Sequence, residues 1–183
     1  GSKMALDKAT ISHRYGKALF ELALEQDKRQ EVCEELNELQ KVIQEEPQLV
    51  LFMTSPQIGG QQKLAMLKTL QEGASQLTVN LLAMLHDYGR IANLASIIDE
   101  FNRLNDEFEK TVRATVTTAV ELDEGQKEKL AAAFANVVGA NKVVIDQVVD
   151  ESIIGGVILQ SQSNIYDGSI KSKLERIKRL LLK

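Results

Sequence analysis

Residues 94–117 read LASIIDEFNRLNDEFEKTVRATVT, and within them the spacing of apolar side chains changes once. Leu94, Ile97, Ile98, Phe101, Leu104 and Phe108 recur every three or four positions, which places them along one side of a helix. From Thr111 the interval drops to two: Val112, Ala114 and Val116 alternate with Arg113, Thr115 and Thr117, the pattern of a half-buried strand. A change of period implies a change of packing partner, because a helix buries a stripe and a strand buries a face. The spacing therefore predicts a domain boundary near Lys110, with a helical domain over residues 4–110 and an α+β domain over residues 111–183. The expected fold class is mainly α with a small α+β part: an N-terminal set of packed helices followed by a smaller C-terminal α/β domain.

Toward the N-terminus the helical period persists. Ile11, Tyr15, Ala18, Leu19, Leu22 and Ala23 predict a first helix, and Val32, Leu36, Leu39, Val42 and Ile43 a second that stops before Pro47. Ser55-Pro56 and Gly59-Gly60 bracket a turn, after which Leu64, Leu67 and Leu70 mark a shorter helix ended by Gly73. Leu77, Leu81, Met84, Leu85 and Tyr88 line the next, with Gly89 as its stop. Gly1-Ser2-Lys3, ahead of Met4, read as a remnant of cloning and are set aside.

Toward the C-terminus, Asp123 with Gln126 three positions later has the form of a capping box, opening a helix through Leu130 and Phe134 that ends by Gly139. Residues 142–149 and 153–160 are β-branched runs that predict two strands joined by Asp150-Glu151-Ser152. In the last segment Ile170, Leu174, Ile177 and Leu181 form one stripe ringed by Lys171, Lys173, Arg176, Lys178 and Arg179, a basic amphipathic helix.

Composition narrows the function classes. A hydrophobic share of 44% permits a real core, and with aromatics at only 4% that core must be built mostly from aliphatic side chains. The formal net charge of −4 argues against a nucleic-acid partner, which would need a concentrated excess of Lys and Arg. Cys33 is the single cysteine and has no internal disulfide partner, as suits a reducing compartment. No run of 18 or more apolar residues is present.

Catalytic chemistry finds little support. His13 and His86 belong to no His-x-x-x-His or Cys-x-x-Cys spacing, so no metal is expected. Glu31, Glu34 and Glu35 around Cys33 disfavour a thiolate, and an inert thiol is expected. The carboxylate pairs Glu34-Glu35, Asp99-Glu100 and Asp123-Glu124 are sequence neighbours that diverge by about 100° on a helix, so they are expected to be solvated. Gly59-Gly60 and Gly155-Gly156 lack the following Gly-Lys-Ser/Thr of a phosphate loop, and no cofactor is expected.

Three stretches together resemble the delta subunit of bacterial rotary ATP synthases, the relative of the mitochondrial oligomycin-sensitivity-conferring protein. Arg14-Tyr15-Gly16-Lys17-Ala18-Leu19-Phe20 is similar to the opening helix of that family, and residues 80–85 with Gly89-Arg90 to its fifth helix and stop. Gly155-Gly156-Val157-Ile158, then Asp167-Gly168-Ser169-Ile170, then Lys173-Leu174-Glu175-Arg176-Ile177 resemble its closing strand, turn and terminal helix. Gln162-Ser163 departs from the pattern, since family members often carry Gly-Asp there.

The resemblance implies an N-terminal six-helix bundle that receives the N-terminal helix of an alpha subunit in a groove between its first and fifth helices. Groove contacts are expected at Tyr15, Ala18, Leu19, Leu81, Met84, Leu85 and Tyr88, with Tyr15 and Met84 the foremost anchors. Both helices carry more apolar positions than one narrow core stripe requires, as a helix-in-groove site would. The C-terminal domain is expected to hold b-type stalk helices, with Val157, Ile158, Ile170, Leu174 and Ile177 facing either the sheet or the stalk. The implied protein is a non-catalytic stator subunit at the cytoplasmic face of the bacterial plasma membrane, its membrane association indirect through the complex. A helical adaptor unrelated to ATP synthase remains compatible with the same organisation. Turnover by the isolated chain would instead point to a hydrolase or transferase with a cryptic site.

Overall fold

The computed structural model describes residues 7–153 and 157–161 of the chain. These form two compact units, one up to Asn105 and one from Asp106 onward.

In the first unit, α1 (Lys8–Glu25) opens where the carboxylate of Asp7 accepts from the Thr10 backbone N–H at 2.7 Å. It buries Ile11, Leu19, Phe20 and Ala23 and ends at Gln26. The chain then turns through Asp27 at φ 56°, and α2 (Arg29–Glu45) buries Val32, Leu36 and Leu39 at spacings of four and three. Pro47 does stop α2, but it also starts α3 (Gln48–Thr54), a helix that the sequence reading passes over. The φ of −63° at Pro47 already suits a first helical turn, and seven residues are too few to display a period. Next come α4 (Gly60–Gln71), α5 (Gln76–Asp87), a 3-10 turn (Ile91–Asn93) and α6 (Leu94–Glu109). Gly73 and Gly89 adopt φ of 73° and 66° after α4 and α5, the left-handed stops expected of them.

Aliphatic side chains make most of the core. Val32, Leu36, Leu82, Leu85, Ile97, Ile98 and Phe101 are sealed from solvent, and Phe20 meets Phe101 edge-on with ring centroids 5.5 Å apart. Two of the carboxylates expected to be solvated are instead structural. Glu35 on α2 accepts from the Ser75 backbone N–H at 2.6 Å, from the Ser75 hydroxyl at 2.6 Å and from the buried Thr78 hydroxyl at 2.8 Å. A carboxylate on another helix thus caps α5, supplying the negative charge that a helix N-terminus favours. Glu35→Ala is expected to lower the unfolding free energy by about 1–2 kcal/mol in urea titration, with Glu35→Gln recovering part of the loss. The second structural carboxylate, Glu100 on α6, binds both His13 and Arg103.

The second unit begins inside α6. Its boundary lies before Asp106, whereas the change of period places it after Lys110, and the reason is a set of ties to the strands. Asp106 accepts from Arg113 at 2.8 and 3.2 Å, and the Lys110 carbonyl accepts from the Asn141 N–H at 2.9 Å. β1 (Thr111–Thr118), α7 (Glu124–Val138) and β2 (Lys142–Val149) form a β-α-β unit, with β1 and β2 parallel from Thr111↔Lys142 to Thr118↔Val149. The expected capping box is present: Asp123 accepts from the Gln126 N–H at 2.7 Å and donates its own N–H to the Gln126 side chain at 3.0 Å. β3 (Val157–Ser161) pairs antiparallel with β1, so the order is β2-β1-β3 and the two β-branched runs flank β1. Ile153, expected in the last strand, lies in a turn, its N–H donating to the Asp150 carbonyl. Ala114, Val116, Leu130, Phe134 and Leu159 make the core of this unit. The expected terminal helix and Gln162-Ser163 lie outside the described residues.

Candidate partner-binding surface on α1 and α5

α1 packs on α5 in the helical unit, and each carries a second apolar stripe beyond the one facing the core. On α1 this is Ala18 and Leu22, with Leu22 43% exposed. On α5 it is Met84, 38% exposed, followed one turn later by Tyr88 at 66%. Single exposed apolar residues are ordinary; here they recur at helical spacing on two helices that pack together.

The seven residues expected to line this surface divide. Leu19, Leu81 and Leu85 are buried in the core, so their side chains are committed within the chain. Ala18, Met84 and Tyr88 are exposed, and Tyr15 is half-buried against the core. Neighbouring positions on a helix point about 100° apart, so Leu85 can be sealed while Met84 faces out. Leu22, not among the seven expected contacts, joins the exposed set one helical turn after Ala18.

One further residue belongs here. Arg90 follows the left-handed Gly89, and its N–H closes the end of α5 by donating to the Leu85 carbonyl at 2.7 Å. Its guanidinium donates to the Tyr15 hydroxyl at 2.8 Å, and its central carbon lies 5.7 Å from the ring centroids of both Tyr15 and Tyr88. Both tyrosines are thereby tied to one cation. A lone arginine after a helix stop carries no such signal in sequence.

Gly16 explains how α1 is seated. A Cβ at this position would lie 2.8 Å from Cβ and Cγ of Glu100 and 3.2 Å from the Ile97 carbonyl oxygen, so α1 approaches α6 more closely than any larger residue allows. Beside it, His13 Nδ1 is 3.1 Å from Glu100, and Arg103 donates to the same carboxylate at 2.6 and 3.1 Å. The Arg103 hydrogen bonds hold Glu100 below its usual range against burial, which pushes the other way, with His13 assisting. A carboxylate lowered in the folded state stabilises fully above its unfolded pKa and loses that contribution as pH falls through the folded value. Glu100→Gln should therefore flatten the decline of thermal midpoint between about pH 5 and about pH 3.

In the second unit Val157 packs against the core and Ile158 is exposed. Ile170, Leu174 and Ile177 lie outside the described residues. Among the described residues no group of three or more His, Cys, Asp or Glu is placed to hold a metal ion, and no helix is long and apolar enough to cross a membrane. Cys33 sits among Asn37, Asn102 and Asn105.

The family model described as ATP synthase delta (OSCP) subunit matches residues 11–181. The chain belongs to the ATP synthase delta (OSCP) family. It is 64% identical over 180 residues to ATP synthase subunit delta of Ligilactobacillus salivarius, covering 98% of this chain and 100% of that one. It is 44% identical over 179 residues to ATP synthase subunit delta of Lactiplantibacillus plantarum, covering 98% and 99%. A chain of the cryo-EM structure of the Toxoplasma gondii mitochondrial ATP synthase hexamer superposes with a TM-score of 0.66 at 26% identity, over 95% of this chain and 98% of its own. The delta (OSCP) family is a non-catalytic, peripheral-stalk component of ATP synthase.

Proposed function

We propose that this chain is the clamp of an ATP synthase stator, its helical unit acting as a six-helix receptor for the N-terminal helix of the alpha subunit and its second unit holding b-type stalk helices. The observation that carries the reading is the exposure of Ala18, Leu22, Met84 and Tyr88 on two packed helices. A helix laid along them would cover the apolar surface still in water, gaining for each large side chain the share of the about 1.5–3 kcal/mol of full burial that its remaining exposure represents. On the stalk side, Ile158 offers exposed apolar surface and Val157 is half-buried against the core; the other residues assigned to the stalk, Ile170, Leu174 and Ile177, lie outside the described residues.

The work of such a chain is mechanical. The catalytic head must not turn with the rotor, so one chain has to grip head and stalk at once and hold under torque without transforming a ligand. This reading places the protein peripherally at the cytoplasmic face of the bacterial plasma membrane, associated with it through the complex. Sedimentation of the chain with the catalytic head and, separately, with a soluble b-type fragment tests it. Comigration with both is expected; a folded chain that stays free of both overturns the proposal.

A further inference from the structure

We propose that Arg90 is the polar anchor of the α1–α5 surface: its guanidinium, set between Tyr15 and Tyr88, receives a carboxylate side chain from the helix that docks there. The inference rests on the docking reading above and adds to it the chemistry that the occupant must bring.

Three observations carry it. First, Arg90 is held at both ends. Its backbone N–H is bonded to Leu85 across the left-handed Gly89, and its Nη1 to the Tyr15 hydroxyl, a bond of 75 residues' separation that spans α1 and the end of α5. A side chain fixed in this way loses little further rotamer freedom when a partner arrives.

Second, among the described residues no carboxylate forms an ion pair with Arg90, not even Asp87 three positions earlier. The contrast with other arginines of the chain is informative. Arg103 and Arg113, with about half of each side chain in water, have Glu100 and Asp106 against them. Arg90, half-buried, has two neutral phenol rings instead. A guanidinium carries five N–H donors, and the Tyr15 oxygen accepts from one of them.

Third, Arg90 lies where covering happens. Tyr88 is 66% exposed and lies next to the guanidinium, so a helix that covers Met84 and Tyr88 also removes water from Arg90. Desolvating a cation without an anion is costly, whereas a carboxylate meeting the guanidinium fork forms a charge-assisted, two-pronged pair. The favoured occupant is therefore an apolar-faced helix with an Asp or Glu positioned at the Tyr88 end of the surface. A wholly apolar or basic helix is disfavoured by the same charge.

The test uses the full chain and a synthetic peptide of the alpha-subunit N-terminal helix, titrated calorimetrically. Each Asp and Glu of the peptide is replaced in turn by its amide, and each peptide is measured against the unaltered chain, Arg90→Lys and Arg90→Met, with folding checked by circular dichroism. One amide replacement should weaken binding to the unaltered chain by about tenfold yet change binding to Arg90→Met by less than about twofold, with Arg90→Lys between them. If every replacement acts equally on all three chains while the peptide still binds and Met84→Asp still weakens it, the carboxylate inference falls and the docking surface stands. If the unaltered, folded chain does not bind the peptide, both fall. Should Arg90→Met fail to fold, Arg90→Lys supplies the comparison, because it keeps the charge and removes the fork.

Discussion

Gly16→Val is expected to lower the unfolding free energy by about 2–3 kcal/mol and to displace α1 from its seat. The nearest atoms to the added Cβ are Cβ and Cγ of Glu100, at 2.8 Å, and a backbone oxygen of α6. None of these is the free end of a flexible side chain, so relief requires movement of a helix. The gain in helix propensity over glycine is a few tenths of a kcal/mol for valine, too small to compensate. Alanine separates the two effects: it carries the same Cβ but recovers up to about 1 kcal/mol in propensity, so its net loss should be smaller and still measurable. Urea unfolding of the three chains provides the measurement. A Gly16→Ala chain as stable as the original would mean that α1 and α6 have room to spare.

Met84→Asp is expected to weaken binding of an alpha N-terminal helix peptide by about 2 kcal/mol or more while lowering stability by about 1 kcal/mol, so the chain stays folded. Met84 is 38% exposed at the last turn of α5, so the stability loss is moderate, whereas an occupant would have to bury the new carboxylate against its apolar face. Tyr15→Ala should weaken the same complex by removing both contact area and the hydroxyl that orients Arg90. Leu85, one position away, is sealed in the core, and its truncation would unfold the chain instead of reporting on binding. Calorimetry giving unchanged affinity for folded Met84→Asp and Tyr15→Ala would remove the α1–α5 assignment.

The candidate surface was only half legible in the residues. Periodicity marks α1 and α5 as rich in apolar positions, but it does not set how far each helix is rotated about its axis. That rotation decides that Leu19, Leu81 and Leu85 face the core while Ala18, Leu22, Met84 and Tyr88 face water. Arg90 was legible only as part of the Gly89-Arg90 stop, because its tie to a tyrosine 75 residues earlier has no local signal. Glu35 looked like half of a solvated pair until the contacts 40 and 43 residues away made it the cap of α5.

The sequence by itself determined most of the helices and strands, though not α3 or the start of β3, together with the capping box at Asp123, the glycine stops and the family to which the chain belongs. Each of these is written in runs of a few residues, where spacing, backbone preference and short motifs act locally. Only the tertiary structure decided that β1 lies between β2 and β3, that α6 lends its last turn to the second unit, that Gly16 admits α6, and which apolar side chains remain in water. These depend on pairings between residues far apart in the chain, and pairing is settled by steric fit and shared burial across elements, which no local run of residues contains.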